Sequence, residues 1–304
     1  MQTPLRIAAL AAFAVLVTGT SLAQDRACDR ACLVDALDRY LDAVVAGNPE
    51  AAGLSPAYRH TENAVALPLG QGIWTSLESL GDVQRRYVDE VSGNAVYFGL
   101  LDEADETAVA TLRLRVENQE VTEAEWNIAR AGDPGIRGEP GEVLFSVEML
   151  TESPPPERVV PARERLSRET LIAIANSYFD GITAADGAVI RGHPGCTRFE
   201  NGFNVTSGPS DCMAGQGSFN VIFVAGRRYL VDVEAQLVIA SAVFVREPGN
   251  DKRRNFFTEL FFIDEGMIRD VYAAMYYVPP TRPVPNWPPY DGNFPLPESF
   301  GDLQ

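Results

Sequence analysis

The sequence predicts an α+β fold used twice: two tandem domains, each a strongly bent antiparallel sheet wrapped around an N-terminal helix. The duplication is read from three blocks. Arg39-Tyr40-Leu41-Asp42-Ala43-Val44, His60-Thr61-Glu62-Asn63-Ala64 and Arg85-Arg86-Tyr87 recur as Ser177-Tyr178-Phe179-Asp180-Gly181-Ile182, Arg198-Phe199-Glu200-Asn201-Gly202 and Arg227-Arg228-Tyr229. The interval from tyrosine to glutamate is 22 residues in both copies, which marks Glu62 and Glu200 as equivalent positions. The ends agree as well, since 112–123 lines up with 259–270. The offset grows from 138 at the glutamates to 147 there, so the second copy holds about nine extra residues, in loops around 207–212 and 247–253. The class follows from the pattern within each copy: a helix, a strand, a helix, then a long run of strands.

Taken in order, residues 1–23 read as a secretory signal peptide. Arg6 precedes an apolar run over 7–17, and Ser21-Leu22-Ala23 supplies a small-residue site for a cut after Ala23. The run is too short to span a membrane. The first domain is placed at 24–131. Leu33, Leu37, Tyr40, Leu41, Val44 and Val45 recur at helical steps, and Gly47-Asn48-Pro49 stops the helix. A strand is expected over 58–67, a helix over 73–80, and strands over 83–91, 95–101, 108–116 and 120–128. Residues 132–164 are rich in Gly, Pro and Glu and read as a linker, with one strand at 143–149. The second domain, 165–278, repeats the plan. Leu171, Ile174, Tyr178, Phe179 and Ile182 build its helix, and strands are expected over 197–205, 219–224, 229–233, 237–245, 255–263 and 267–277. The tail 279–304 is rich in Pro and aromatics and is expected to pack across a domain.

Composition narrows the function. A net charge of −17 argues against nucleic acid and anionic membranes as partners. Lys252 is the one lysine among 25 basic residues and sits in a loop, which disfavours Schiff-base chemistry. Two histidines make no zinc cluster, and no glycine-rich phosphate or dinucleotide motif is present. No metal and no cofactor is therefore expected. Four cysteines in an exported chain suit disulfides. Cys196 and Cys212, flanking the extra loop, are paired here; Cys28 and Cys32, four apart at a helix start, either bond to each other or fill apolar space. Asn204-Val205-Thr206 fits a glycosylation acceptor.

Tyr40-Leu41-Asp42-Ala43-Val44-Val45-Ala46-Gly47-Asn48, then Thr61-Glu62-Asn63 and a glycine-rich step into a helix, resembles the NTF2-like superfamily, and within it the ketosteroid isomerase and SnoaL branch. The tandem arrangement resembles secreted double-domain proteins of unassigned function that carry the DUF8021 module. The resemblance covers both copies and implies cone-shaped folds. It also implies a carboxylate base on the first strand, with a helix-1 tyrosine and a carboxylic acid on a later strand as donors to a forming enolate. In ketosteroid isomerase that acid is kept neutral by its apolar site. Carried over, Tyr178 matches the tyrosine, Glu200 falls within a residue or two of the base, and Glu259 matches the donor acid. Tyr40 and Glu62 match in the first copy, where Leu112 replaces the acid.

The residues support two readings at each position. Strand alternation puts Glu259 on the inward face with Phe257, Phe261 and Ile263. An ionised carboxyl there is costly, so it is neutral, or half of a buried ion pair with Arg198 or Arg228. Glu62 and Glu200 either face a ligand or fix a neighbouring loop. His60 either shuttles protons or is a hydrogen-bonded strand residue. Tyr40 and Tyr178 either donate to a ligand or pack the core. Arg86, Arg198 and Arg228 either bind an anionic group or pair with the glutamates. The expected function is an exported protein that holds a small apolar or aromatic molecule in a cone, with cofactor-free isomerase, dehydratase or lyase chemistry, or else a non-catalytic ligand-binding or interaction module. An open pocket at Glu259, Glu200 and Tyr178 would favour the enzyme, and aromatic filling or a closed Arg–Glu pair the module. A homodimer is compatible with either.

Overall fold

A computed structural model of the chain describes residues 28–280 apart from 207–209, 219 and 248. The expected signal peptide and all of the tail beyond Pro280 lie outside the described residues.

Two six-stranded sheets build two α+β cones. In the first lobe the helix α1 (Arg30–Val45) is followed by β1 (Leu54–Glu62), β2 (Val65–Ala66), a short α2 (Ile73–Ser76), β3 (Leu77–Asp89), β4 (Asn94–Glu103), β5 (Thr107–Glu117) and β6 (Glu120–Ala129). After a connecting α3 (Val147–Glu152), the second lobe repeats the order. It comprises α4 (Arg168–Ala184), β7 (Gly192–Glu200), β8 (Phe203–Asn204), β9 (Val221–Asp232), β10 (Leu237–Arg246), β11 (Arg254–Asp264) and β12 (Met267–Val278). The sheet orders are β2-β1-β6-β5-β4-β3 and β8-β7-β12-β11-β10-β9. Both sheets are mixed, because β1 runs parallel to β6 and β7 parallel to β12.

Each long helix starts at a side-chain cap, Asp29 for α1 and Ser167 for α4. Each buries its apolar stripe in the concave face of its own sheet. Leu33, Leu37, Tyr40, Leu41 and Val44 pack with Leu112, Leu114 and Trp126 in the first cone. Leu171, Ile174, Tyr178, Phe179 and Ile182 pack with Phe257, Phe261 and Val271 in the second.

Register fixes the equivalence of the copies. Glu62 faces Trp126 across the sheet and Glu200 faces Ala273, while Leu112 pairs with Trp126 and Glu259 with Ala273. Glu62 therefore corresponds to Glu200, and Leu112 to Glu259. The asparagine after each glutamate explains why Glu-Asn appears twice. Asn63, at φ +46, exchanges two hydrogen bonds with Ile128, Nδ2 to its carbonyl at 2.9 Å and its amide to Oδ1 at 2.8 Å. Asn201, at φ +49, does the same with Met275 at 3.1 and 2.7 Å. Asparagine tolerates the left-handed turn and ties the first strand to the last.

Arg-Arg-Tyr is not equivalent in space. Asp89 pairs with Asn94 where β3 turns into β4, and Asp232 pairs with Leu237 where β9 turns into β10. The true offset is 143, one more than the motif spacing. A one-residue slip sends side chains to opposite faces. Tyr87 accordingly joins the apolar layer between the lobes, whereas Tyr229 packs into the second cone.

The outer faces of the two sheets meet over Val83, Tyr87, Phe98, Leu230, Phe262 and Tyr272. A pseudo-twofold polar clasp closes this layer. Asp232 accepts from the Val88 amide at 3.1 Å and pairs with Arg30 at the start of α1. Asp89 accepts from the Val231 amide at 3.1 Å and pairs at 2.6 Å with Arg168 at the start of α4. Both aspartates are buried, Asp89 at 1% and Asp232 at 2% exposed.

Three local expectations are corrected. The strand at 143–149 is instead the run into α3, where the Ser146 hydroxyl caps the Met149 amide at 3.1 Å; the cap outweighs the β-branched composition. The helix at 73–80 ends at Ser76, and 77–80 opens β3. The segments 219–224 and 229–233 are not two strands: Val221–Asp232 is one continuous strand, β9, which the glycine at 226 bends without ending (φ +63).

Candidate functional site

Four equivalent positions converge under each long helix: Tyr40, His60, Glu62 and Leu112 in the first cone, Tyr178, Arg198, Glu200 and Glu259 in the second. The helix supplies the tyrosine. Alternate residues of the first strand supply the next two, and the fourth comes from the strand beyond β6 or β12.

In the second cone the polar groups form a chain. The Arg198 guanidinium donates from Nη1 to the Tyr178 hydroxyl at 3.0 Å, and its Nε lies 3.2 Å from Glu200 Oε1. Glu259 is 2% exposed, and its Oε2 is buried with no hydrogen-bond partner among the described residues. Burial pushes its pKa up to about 8; the nearby Glu200 carboxylate pushes the same way, and Arg198 opposes both. Burial also raises the Tyr178 phenol. At neutral pH the site thus presents a protonated acid, a phenol and a guanidinium, all donors. Around them stand Phe179, Phe257 and Phe261, none of them exposed. The Tyr178 ring lies 5.2 Å from Phe261, and Phe179 lies 5.8 Å from Phe257 and 5.6 Å from Phe261. These rings fill the cone as packed pairs.

The first cone holds neutral groups. The Tyr40 and Tyr58 hydroxyls are 2.7 Å apart, and burial raises both phenols. His60 is 2% exposed, and neither ring nitrogen has a hydrogen-bond partner among the described residues. Burial lowers its pKa to about 4, so the ring is neutral at pH 7. Glu62 is drawn away from the cone. Its carboxylate receives the Ile73 amide at 2.9 and 3.2 Å and caps α2. Gly72 (φ +64) leaves room for it, since a Cβ there would collide with the Glu62 carboxyl. A cavity of about 470 Å³ at the rim touches Glu62, Ser76, Glu103 and Arg130. Burial raises Glu62, an effect that the Ile73 amide opposes.

The other expected site residues lie elsewhere. Arg86 pairs with Asp38 on α1. Arg228 leaves the second cone and pairs with Glu125 of the first lobe; Glu125 is also held by Arg113 at 2.9 Å. The register slip turns Arg228 outward, toward the first lobe. The cysteines are bonded as Cys28–Cys32 and Cys196–Cys212, a pattern that suits an oxidising, extracellular or periplasmic environment. Motif reading does not reveal Tyr58 or the clasp aspartates. The clasp has a signal: the second copy places one more residue than the first between Arg-Arg-Tyr and the aspartate.

Residues 164–275 match the family model DUF8021, a domain of unknown function. The match falls on the second lobe. The first lobe shares its topology, its Glu-Asn hinge and its helix tyrosine, so the chain is a tandem of two cones of like topology, of which the second matches the DUF8021 model. Among solved structures, a protein of unknown function with a cystatin-like fold from Methylobium petroleophilum PM1 is 18% identical, over 38% of this chain and 80% of that one, at a TM-score of 0.33. An NTF-2 like protein of unknown function from Burkholderia xenovorans LB400 is 14% identical over 38% and 88%, at 0.30. AusH from Aspergillus nidulans is 15% identical over 36% and 85%, at 0.29. Comparison with curated proteins finds no match.

Proposed function

We propose that this is an exported small-molecule-binding protein whose DUF8021 cone recognises a hydrogen-bond acceptor, a carbonyl or ether oxygen, on a small apolar or aromatic molecule. The observation that carries the reading is Glu259: a buried carboxyl whose proton burial holds on at neutral pH, with one oxygen unpartnered among the described residues, beside the Tyr178–Arg198 pair. A neutral acid is a strong donor in an apolar site, and leaving it unpaired is costly. An acceptor delivered between Glu259 and Tyr178 would relieve that cost, with the phenylalanine rings reorganising around its apolar body.

Binding is favoured over turnover. Isomerase, dehydratase or lyase chemistry requires a carboxylate free to take a proton. Glu200 is tied to Arg198 and Glu62 to the Ile73 amide. The filled cone and the closed Arg198–Glu200 pair support the module reading over the enzyme. The export half of the proposal rests on the two disulfides together with the amino-terminal apolar run.

The test is thermal melting of wild type and Glu259→Gln with a panel of aromatic and terpenoid ketones. A ketone that raises the melting temperature of wild type, and does so less for Glu259→Gln, is the expected result. If no compound shifts the wild type, or if those that do shift the variant equally, Glu259 is not the recognition group.

A further inference from the structure

A second cavity of about 470 Å³ opens between the lobes, far from either cone interior. Its walls are β3 of the first lobe, the connecting segment at 157–159 and the β9–β10 turn of the second lobe. Four arginines line it, Arg30, Arg85, Arg86 and Arg158, in a chain with 42 acidic and 25 basic residues. Two of them are neutralised within the fold. Arg30 pairs with Asp232 and with Glu234, and Arg86 pairs with Asp38.

The other two are available to a ligand. Arg158 gives Nε to the Ala235 carbonyl at 2.8 Å and Nη2 to those of Ile263 and Gln236 at 2.7 and 3.2 Å. Its hydrogen bonds among the described residues go to carbonyls, and Asp264 and Asp270 act on its charge from further off. Arg85 is anchored on the Pro155 carbonyl at 2.6 Å, and its Nη1 holds Glu157 at 2.8 Å. Glu157 is 73% exposed, and such a pair contributes little. Tyr87 supplies an independent sign of a ligand. It is 4% exposed and lines the same cavity, and its hydroxyl is buried with no hydrogen-bond partner among the described residues. Val159, Ala235 and the Tyr87 ring give the cavity an apolar side, while Gln84 and the carboxylates of Asp232 and Glu234, both held by Arg30, complete the lining.

We propose that this interlobe cleft binds an organic carboxylate with an apolar body. The ligand carboxylate takes the place of Glu157 on Arg85, draws on the charge of Arg158 and accepts the Tyr87 hydroxyl. Glu157 is then an internal stand-in, and the connecting segment a strap that yields when the ligand arrives. A carboxylate is preferred over a phosphate because Arg85 already holds one through Nη1, and because that guanidinium, the charge of Arg158 and a phenol match a single negative charge on an apolar stem. The volume suits a molecule of that size.

Calorimetric titration with 4-phenylbutyrate tests this on the full exported chain, with 4-phenylbutyramide and inorganic phosphate as comparison probes. The expected result is carboxylate binding that weakens with salt and no binding of the amide. Glu157→Gln should tighten it about 3-fold by removing the competing charge. Tyr87→Phe should weaken it about 10-fold with an unchanged melting temperature, since its hydroxyl has no hydrogen-bond partner among the described residues. Glu259→Gln should leave it unchanged, which separates this site from the cone. Absence of 4-phenylbutyrate binding up to about 10 mM in both wild type and Glu157→Gln would overturn the proposal. So would binding indifferent to both cleft variants, or phosphate binding as tightly as the carboxylate.

Discussion

Replacing Glu259 by Gln should abolish a large alkaline loss of stability. In the folded protein burial lifts this carboxyl from 4.5 to about 8. The folded state therefore keeps a proton that the unfolded state releases above about pH 4.5. Stability rises with pH only where the unfolded state binds more protons, and here it binds fewer. The stabilisation is fully present below the unfolded value and is lost as pH rises through the folded value. At about 1.4 kcal/mol per pH unit, the loss across that window amounts to roughly 5 kcal/mol. Glutamine has the shape of the protonated acid and does not titrate. The variant should match wild type near about pH 4 and exceed it by several kcal/mol near about pH 9. Urea midpoints measured by circular dichroism at several pH values across this range would show the two curves diverging. Parallel curves would refute the reasoning. A variant several kcal/mol weaker at every pH would mean that Glu259 is ionised and paired with Arg198, since glutamine would then strand a buried charge.

His60 has the opposite sign. Its folded pKa of about 4 lies below the ordinary 6.5, so stability should fall as pH drops through that window, by roughly 3 kcal/mol; His60→Phe should flatten this acid limb in urea melts, and an unchanged limb would disprove the assignment. Removing one clasp carboxylate, by Asp232→Ala or Asp89→Ala, leaves a buried amide and an arginine without their acceptor, costs about 2–4 kcal/mol, and should split one unfolding transition into two; a single unshifted transition in calorimetry would show that the apolar layer alone couples the lobes. Cys196→Ser with Cys212→Ser opens a loop with a separation of 16 residues and should cost about 3 kcal/mol, whereas the Cys28–Cys32 pair, separated by 4, should matter far less; equal losses from the two double variants would contradict this. Non-reducing peptide mapping checks both pairings directly.

The parts legible in the sequence are those set by repetition and periodicity. The tyrosine-to-glutamate interval places Tyr40 over Tyr178 and Glu62 over Glu200, because the path from the helix tyrosine to the end of the first strand is 22 residues in both copies. The inward place of Glu259 follows from strand alternation alone, and it is buried as alternation requires. What fails is the distance of a motif from its turn. Pairing is regular from Arg228 to Asp232, but the second copy places one more residue between Arg-Arg-Tyr and the β9–β10 turn, and that shift of one residue turns a repeated motif into two different environments. Partner choice is equally hidden: Arg228 bonds Glu125, 103 positions earlier and in the other lobe, and no local pattern encodes that. The connecting segment reads as a spacer because its composition is Pro and Gly. Its anchoring depends on carbonyl acceptors such as Ala235 and Ile263, which carry no side-chain signature.

The duplicated site shows how one scaffold holds two kinds of polar interior. At equivalent positions the first cone has His60 and Leu112, and the second has Arg198 and Glu259. Each exchange depends on the other. A buried arginine requires negative charge nearby, and Glu200 supplies it only by staying in the cone. In the first lobe, with a neutral histidine at that position, nothing retains Glu62, and its carboxylate is free to cap α2 instead. Placing Arg198 and Glu200 in a closed pair in turn leaves Glu259 with no cation to itself, so burial keeps its proton on. The neutral acid, the feature on which ligand recognition is proposed to rest, is thus kept by burial and by the Glu200 carboxylate beside it, against the opposing charge of Arg198. Converting His60 to Arg in the first lobe should not recreate that site. Without a carboxyl at Leu112, and with Glu62 held by the Ile73 amide, the new charge would be buried unpaired and the lobe destabilised by about 3–5 kcal/mol. The paired change with Leu112→Glu should recover part of that loss in urea melts. A double variant no more stable than the single one would show that the two cones do not share a common polar logic.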